Sequence, residues 1–306
     1  MIIVRLAISV WLLAARALQK GTAGSLPAVF RLPDRGEYAM LWPFQGRALQ
    51  RRVRIGDVEL AYEVVGQGPP LLLIHGLSGS GRWWARNVGA LAQHFRVYVI
   101  DLVGFGASRG RQAFVLPDAA MYLARWMQAS AMEPAVVVGH SMGGHIAAEL
   151  AADYPELVER LVLVDPAVLP IPPSYARNIL NMLREARQMR FDFVPVLVGD
   201  ALRAGMITLW KAANELLSTD LRPKLGRIRA PTLVVWGEND ALLPLALGRQ
   251  ISQHLRFDEL VIMQRAGHNP MWDCPRAFNQ VVLEFLRGSS PGGERRVDCG
   301  TANPAL

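Results

Sequence analysis

Residues 136–145, VVVGHSMGGH, constrain the fold of this chain more than any other stretch. Three consecutive valines fit a buried strand, the Gly-x-Ser-x-Gly pattern of residues 139–143 fits a turn too tight for side chains, and HIAAELAADYP fits a helix. Ser141 then stands on a strained strand-to-helix turn, with glycines two residues to either side because a Cβ there would push the neighbouring strand and helix away. The helix that starts at this turn aims free N–H groups and the positive end of its dipole at the serine, which suits developing negative charge. Ser141 therefore reads as a nucleophile. The same pattern also occurs as a purely structural turn, so the reading requires three further parts: a base, an acid to orient it, and donors for an oxyanion.

Further short apolar runs at 71–74, 95–101, 135–139, 160–165, 232–237 and 259–263 read as strands. Helical periodicity falls around 85–93, 117–130, 142–153 and 275–287. Alternation of buried strands with helices predicts an α/β fold, a mostly parallel sheet with helices on both faces. Ahead of it, VRIGDVELAYEVVGQG predicts a hairpin turning at Gly56 and Asp57, with Val58, Leu60 and Tyr62 on one side. Between Asp165 and Ile228 the alternation stops, leaving two or three helices and no strand. An insertion between two such strands lies over their carboxyl ends, so residues 166–228 are expected to form a helical cap on a core of 51–165 and 229–288. Residues 289–306 have no hydrophobic period and are expected to be a disordered tail.

At 306 residues, 51% of them hydrophobic, the chain can bury one large core. Its two cysteines, Cys274 and Cys299, predict neither a disulfide framework nor a zinc site, and leave the compartment open. The net charge of +7 is carried wholly by residues 1–56, where nine basic residues face only Asp34 and Glu37. A neutral body without a basic stripe argues against a nucleic-acid partner. In residues 1–24, Arg5, Ser9, Arg16, Gln19 and Lys20 fall within roughly one 100° arc of a helix whose other face is apolar. That pattern suits a helix lying on an anionic membrane surface; an uncleaved anchor, a cleaved signal peptide or a helix packed on the protein's own body are the alternatives. Localisation is thus expected to be membrane-associated or cytoplasmic, secretion after signal cleavage coming third. Residues 25–50, with Pro27, Pro33 and Pro43 among aromatics, are expected to wrap the body in extended form.

Taken in order, HGLSGSGRWW, DLVGFGAS, GHSMGG, PTLVVWGENDALLP and AGHNPMWDCPRAFNQVVLEFL resemble the α/β-hydrolase superfamily over residues 50–288, in its cap-bearing serine-hydrolase branch of carboxylesterases and carbon–carbon hydrolases. The resemblance implies His268 as the base. Of the six histidines it is also the one set between a glycine and a proline at a strand's carboxyl end. The resemblance implies Asp240 as the acid, with Asp165, at the end of another strand, as the alternative position. It implies the main-chain N–H groups of Leu77 and Met142 as the oxyanion donors. His75 is expected to shape its loop, Asp101 to satisfy loop amides, and His140 and His145 to bond locally. Trp83 and Trp84 are candidates for lining the substrate pocket, with helix packing the equal alternative.

Such a site implies hydrolysis of a carboxylic ester with a small to medium apolar acyl group through an acyl-enzyme. The same triad serves carbon–carbon bond hydrolysis, lactones or acylglycerols, and a non-catalytic ligand-binding protein is the alternative of another class. A serine at this turn argues against the alkyl-enzyme chemistry of relatives that carry aspartate there. No cofactor is implied, and no residues show metal-ligand spacing. Leu169, Ile171, Met182, Phe191, Phe193, Met206, Leu209 and Trp210 make the cap apolar.

Overall fold

Runs such as PLLLI and TLVVWG have no polar side, so each must be covered from both faces. The computed structural model meets that requirement; it describes residues 49–110, 114–132, 134–170, 175–255, 258–289 and 292–300. Elements follow as β1 (Leu49–Ile55), β2 (Val58–Val65), β3 (Pro70–Ile74), α1 (Val88–Leu91), β4 (Arg96–Asp101), α2 (Leu116–Ala129), β5 (Ala135–His140), α3 (Met142–Asp153) and β6 (Val158–Val164). Then come α4 (Tyr175–Gln188), α5 (Val194–Ala204), α6 (Met206–Ser218), α7 (Arg222–Leu225), β7 (Thr232–Gly237), α8 (Leu245–His254), β8 (Asp258–Gln264), α9 (Pro270–Asp273), α10 (Pro275–Leu286) and β9 (Gly293–Asp298).

The nine strands form one sheet in the order β1-β2-β4-β3-β5-β6-β7-β8-β9. The hairpin β1–β2 and the β2–β4 pair are antiparallel. Every other pair is parallel. Alternate residues of each strand feed the two sides: Leu72 and Ile74 pack with α2, α3 and α8, whereas Leu71 and Leu73 pack with α1 and α10. Because β4 and β5 lie on opposite sides of β3, the chain changes direction there, and the carboxyl ends of β3 and β5 mark the switch point where a sheet of this kind has its crevice.

Among the described residues the insertion consists of the helices α4–α7 joined by short turns, with no strand. It touches loops that follow the carboxyl ends of parallel strands. Asp200 reaches Ser80 after β3, and Glu185 reaches Ala241 after β7 and His268 after β8. Of its apolar side chains, Phe193 is buried and Phe191 is 95% exposed. Leu169, just ahead of α4, is buried, Met206 and Trp210 are exposed, and Leu209 is partly buried. The side chains of Ile171 and Met182 lie outside the described residues, as do residues 1–24 and nearly all of 25–50. Among the described residues no helix is long and apolar enough to cross a membrane.

Two expectations are corrected. The segment 289–306 is not a disordered tail over 293–298: GERRVD forms β9, paired in parallel with β8 from Glu259↔Gly293 to Gln264↔Asp298. Its order comes from the backbone ladder and from side chains that a hydrophobic pattern does not register. Arg295 bonds Glu259 and Glu284, and Arg249 bonds Glu294. The cysteines, read as setting no disulfide framework, are joined as a single bond, Cys274–Cys299, with Cα atoms 5.1 Å apart, because β9 delivers Cys299 to the start of α10. Helix α8 is missing from the sequence periodicities because only Gly248 and Ile251 are buried on it.

Candidate active site

Strand β5 is buried along its whole length and turns directly into α3 at Ser141, whose φ of 52° and ψ of −114° lie where a non-glycine residue is strained. The turn is held by Ser141 N–H donating to the Val164 carbonyl at 2.9 Å, and by the Ser141 carbonyl accepting from His145 N–H and Ala167 N–H. A Cβ at Gly139 would strike the Gly143 backbone, one at Gly143 the backbone of Ile74 and His75, and one at Gly144 the ring of Pro166. The glycines are therefore a packing requirement of the turn.

His268 follows β8 and Asp240 follows β7, two neighbouring parallel strands, so their loops lie side by side over the crevice. His268 Nε2 is 3.0 Å from Ser141 Oγ, and His268 Nδ1 is 2.7 Å from Asp240 Oδ2. Asp240 Oδ1 accepts the N–H groups of Leu242 and Leu243, both at 2.8 Å, which fixes the carboxylate's orientation. With Nδ1–H donating to Asp240, Nε2 is the free acceptor that faces the hydroxyl. Burial opposes charge on His268, yet the carboxylate of Asp240, its hydrogen bond, and the charges of Glu185 and Asp273 outweigh it and hold the imidazole pKa above its ordinary value.

Asp165 ends up beside the same pair but with a different role. Its Oδ1 accepts Gly237 N–H at 2.9 Å, and no bond joins it to His268. Burial, then the charge of Asp240, pushes its pKa well above the usual carboxylate range. Between the two acids, it is Asp240 that contacts the base.

The main-chain N–H of Met142 is at the first position of α3 and has no intrahelical partner. That of Leu77 donates to no group among the described residues. Leu77 follows β3 and Met142 follows β5, the strands whose carboxyl ends flank the crevice. His75, pushed down to about 4 by burial, donates from Nδ1 to the Gly76 carbonyl and accepts Leu102 N–H on Nε2, tying the Leu77 loop to the loop after β4. Asp101 accepts Gly81 N–H and Ala107 N–H, both at 2.7 Å.

Trp83 packs edge-on against Phe193 of the insertion and tilted against His140, with centroids 5.2 and 5.6 Å apart. Trp84 is fully buried against Phe278 of α10, which is the packing alternative for this residue.

Several residues at the site were given no catalytic role by the sequence. His140 Nε2–H donates to the His268 carbonyl at 2.7 Å while burial, then the His268 charge, keeps His140 neutral. Glu185 accepts from His268 N–H and Ala241 N–H. Asp273 accepts Gly267 N–H at 3.0 Å. Asp200 accepts Ser80 Oγ–H and pairs with Arg82 and Arg203. Of the acids, Asp200 alone offers a sequence signal, a single carboxylate in the apolar run VLVGDAL.

The arrangement can transfer a proton from Ser141 to the imidazole. Residues 71–281 match the model of the Alpha/beta hydrolase family. The chain is 30% identical over 268 residues to a 2-hydroxy-6-oxononadienedioate/2-hydroxy-6-oxononatrienedioate hydrolase of Paraburkholderia xenovorans, covering 76% of this chain and 91% of the relative. It is 28% identical to a pimeloyl-[acyl-carrier protein] methyl ester esterase of Nitrosospira multiformis, covering 76% of this chain and all of that one. Among solved structures it is similar to a membrane phospholipase A described as a bacterial virulence factor, with a TM-score of 0.67 and 28% identity over 79% of this chain and 86% of that one.

Proposed function

Because the chain belongs to the alpha/beta hydrolase family, we propose that it is a serine hydrolase that cleaves a carboxylic ester of a small to medium apolar acid. The observation that carries this reading is the unbroken line from Ser141 Oγ through the imidazole of His268 to Asp240. Ser141 Oγ attacks the carbonyl carbon as His268 Nε2 takes its proton. The imidazolium that forms keeps its Nδ1–H on Asp240. The tetrahedral oxyanion is received by Leu77 N–H and Met142 N–H, preset main-chain donors each worth roughly 3 kcal/mol of barrier. His268 then hands its proton to the leaving alkoxide, and a water attacks the acyl-enzyme by the same route. The helical insertion acts as a cap, and Trp83 lines the acyl side of the crevice.

Similarity to the Paraburkholderia hydrolase favours one second reading, hydrolysis of a carbon–carbon bond by the same residues. Turnover of p-nitrophenyl esters of increasing acyl length, compared with Ser141→Ala, separates the two. Ester turnover abolished by the substitution supports the ester reading. A fluorophosphonate that labels Ser141 in a chain without ester turnover supports the carbon–carbon reading. Absence of both leaves the serine-hydrolase reading without support.

Association with an anionic membrane surface through residues 1–24 belongs to the same proposal and rests on their charge and apolar face. Fractionation of the full chain beside one lacking residues 1–24 tests it; a full chain found wholly in the soluble fraction removes it.

A further inference from the structure

A carboxylate placed in a protein interior needs compensation, and an isolated one is among the costliest groups to bury. Glu185 of α4 is 4% exposed, and no Lys or Arg pairs with it among the described residues. What it has instead are two backbone N–H groups: Oε1 accepts from His268 at 2.9 Å, and Oε2 accepts from Ala241 at 3.2 Å. Ala241 sits next to Asp240. One side chain thus holds the loop of the acid and the loop of the base at once.

We propose that Glu185 is a positioning residue, which sets the separation of Asp240 and His268 by bonding the backbone of both loops from the helical insertion. This rests on the serine-hydrolase reading above. The other main-chain groups around His268 are already committed: its carbonyl accepts from His140 Nε2–H, and Gly267 N–H donates to Asp273. Neither of those contacts reaches the Asp240 loop; a direct backbone bond between the two loops, Asn239 N–H to the Ala266 carbonyl at 2.9 Å, lies at their bases, and Glu185 joins them beyond it, at His268 itself and at the residue after Asp240. The approach is close enough that a Cβ at Gly267 would come within 2.9 Å of Glu185 Oε1, which gives that glycine a reason. An apolar residue at 185 would remove a buried charge but leave His268 N–H and Ala241 N–H without their acceptor.

The charge has its own consequence. Facing the imidazole of His268 are Asp240 after β7, Glu185 of α4, Asp273 of α9 and neutral His140 of β5; Asp165, at the end of β6, faces Asp240 and Glu185 in turn. Each ionised neighbour favours imidazolium. Removing one makes the imidazole easier to deprotonate and moves to lower pH the point at which it can accept the serine proton.

The rate at which a fluorophosphonate labels Ser141, followed across pH in the full-length chain, reads both effects. In Glu185→Gln the amide oxygen serves one N–H and the charge is gone, so the plateau rate falls by about tenfold or more and the acid limb moves to lower pH. Glu185→Asp keeps the charge but loses reach: its plateau falls while its limb stays near that of the wild type. A Glu185→Gln chain with the wild-type plateau and limb overturns the proposal even if its Tm is lower, because that is a structural contribution alone. If neither substituted chain folds, amide exchange in the wild type decides. Slow exchange at both Ala241 and His268 supports the bridge, and fast exchange at either overturns it. A wild type that is never labelled counts against the serine-hydrolase reading, while the exchange measurement still judges the bridge.

Discussion

Asp165 and Asp240 stand side by side at the carboxyl ends of β6 and β7, yet only Asp240 touches the imidazole of His268, at 2.7 Å. The difference arises in the loops. Asp240 lies three residues beyond the end of β7 and turns back with both Leu242 N–H and Leu243 N–H on its Oδ1, so its Oδ2 points across to β8. Asp165 follows β6 immediately, with φ at 39°, and spends Oδ1 on Gly237 N–H.

Substitution at the two acids therefore has unequal results. Asp240→Asn removes the acceptor that fixes the His268 tautomer and is expected to lower kcat/KM for a p-nitrophenyl ester by about 10⁴-fold. Burial, then the charge of Asp240, pushes the Asp165 pKa up and so favours its uncharged form, of which an amide is the isostere. Asp165→Asn should stay within about tenfold of the wild type. The opposite ranking would move the acid to β6.

The pH profile of kcat/KM reports the imidazole. His268 must be neutral to accept a proton, and its pKa is raised by Asp240, Glu185 and Asp273 against the opposing effect of burial. Activity is lost as pH falls through that raised pKa, so the acid limb should lie above the ordinary histidine value of about 6.5. Asp273→Asn, which removes one of the carboxylates, should shift the limb downward. A wild-type limb at or below the ordinary value contradicts this account.

The Cys274–Cys299 bond closes a chain separation of 25 residues. Cross-linking over that length is worth about 3 kcal/mol in the loop-entropy account. Reduction, or the double substitution Cys274→Ala with Cys299→Ala, should lower the unfolding free energy in urea by about that amount. Alkylation followed by intact mass checks the premise, because no cysteine should react before reductant is added. A bond of this kind persists in oxidising compartments, so its retention in cell extracts would also bear on where the chain resides.

The two adjacent tryptophans should behave differently. Trp84 is fully buried against Phe278, so Trp84→Ala should cost roughly 3–5 kcal/mol of stability and leave the acyl-length preference of the surviving enzyme as it was. Trp83 packs on His140, whose Nε2–H holds the His268 carbonyl, and on Phe193 of the insertion. Trp83→Ala should change the acyl-length preference and slow fluorophosphonate labelling. An unchanged preference would assign Trp83 to the core with its neighbour.

Much of the site was legible because its parts are demanded locally. A serine at positive φ between a buried strand and a helix requires glycines at fixed offsets, and Gly139, Gly143 and Gly144 are where a Cβ would collide. His268 and Asp240 each follow an apolar run short enough to be a parallel strand, and such strands present their following loops on one edge of the sheet. The hairpin turning at Gly56 and Asp57 was legible in the same way, from alternation and a turn.

What stayed hidden depends on partners far away in the chain. Glu185 meets His268 across 83 positions and Asp200 meets Ser80 across 120, and neither acid sits in a pattern that announces a partner. Strand β9 is polar because it lies at the sheet edge, and its Arg295 finds Glu259 and Glu284 only once β8 and α10 are in place. The sequence by itself determined the strand-to-helix turn at Ser141 and the alternation that builds a parallel sheet, since each follows from backbone geometry over a few neighbouring positions, whereas His268 and the pair of candidate acids were reached through a family resemblance. Only the tertiary structure decided which of two acids touches the base, that the two cysteines join, and that the insertion holds the acid and base loops through one carboxylate. Those are contacts between surfaces that do not exist until the sheet has closed its layers.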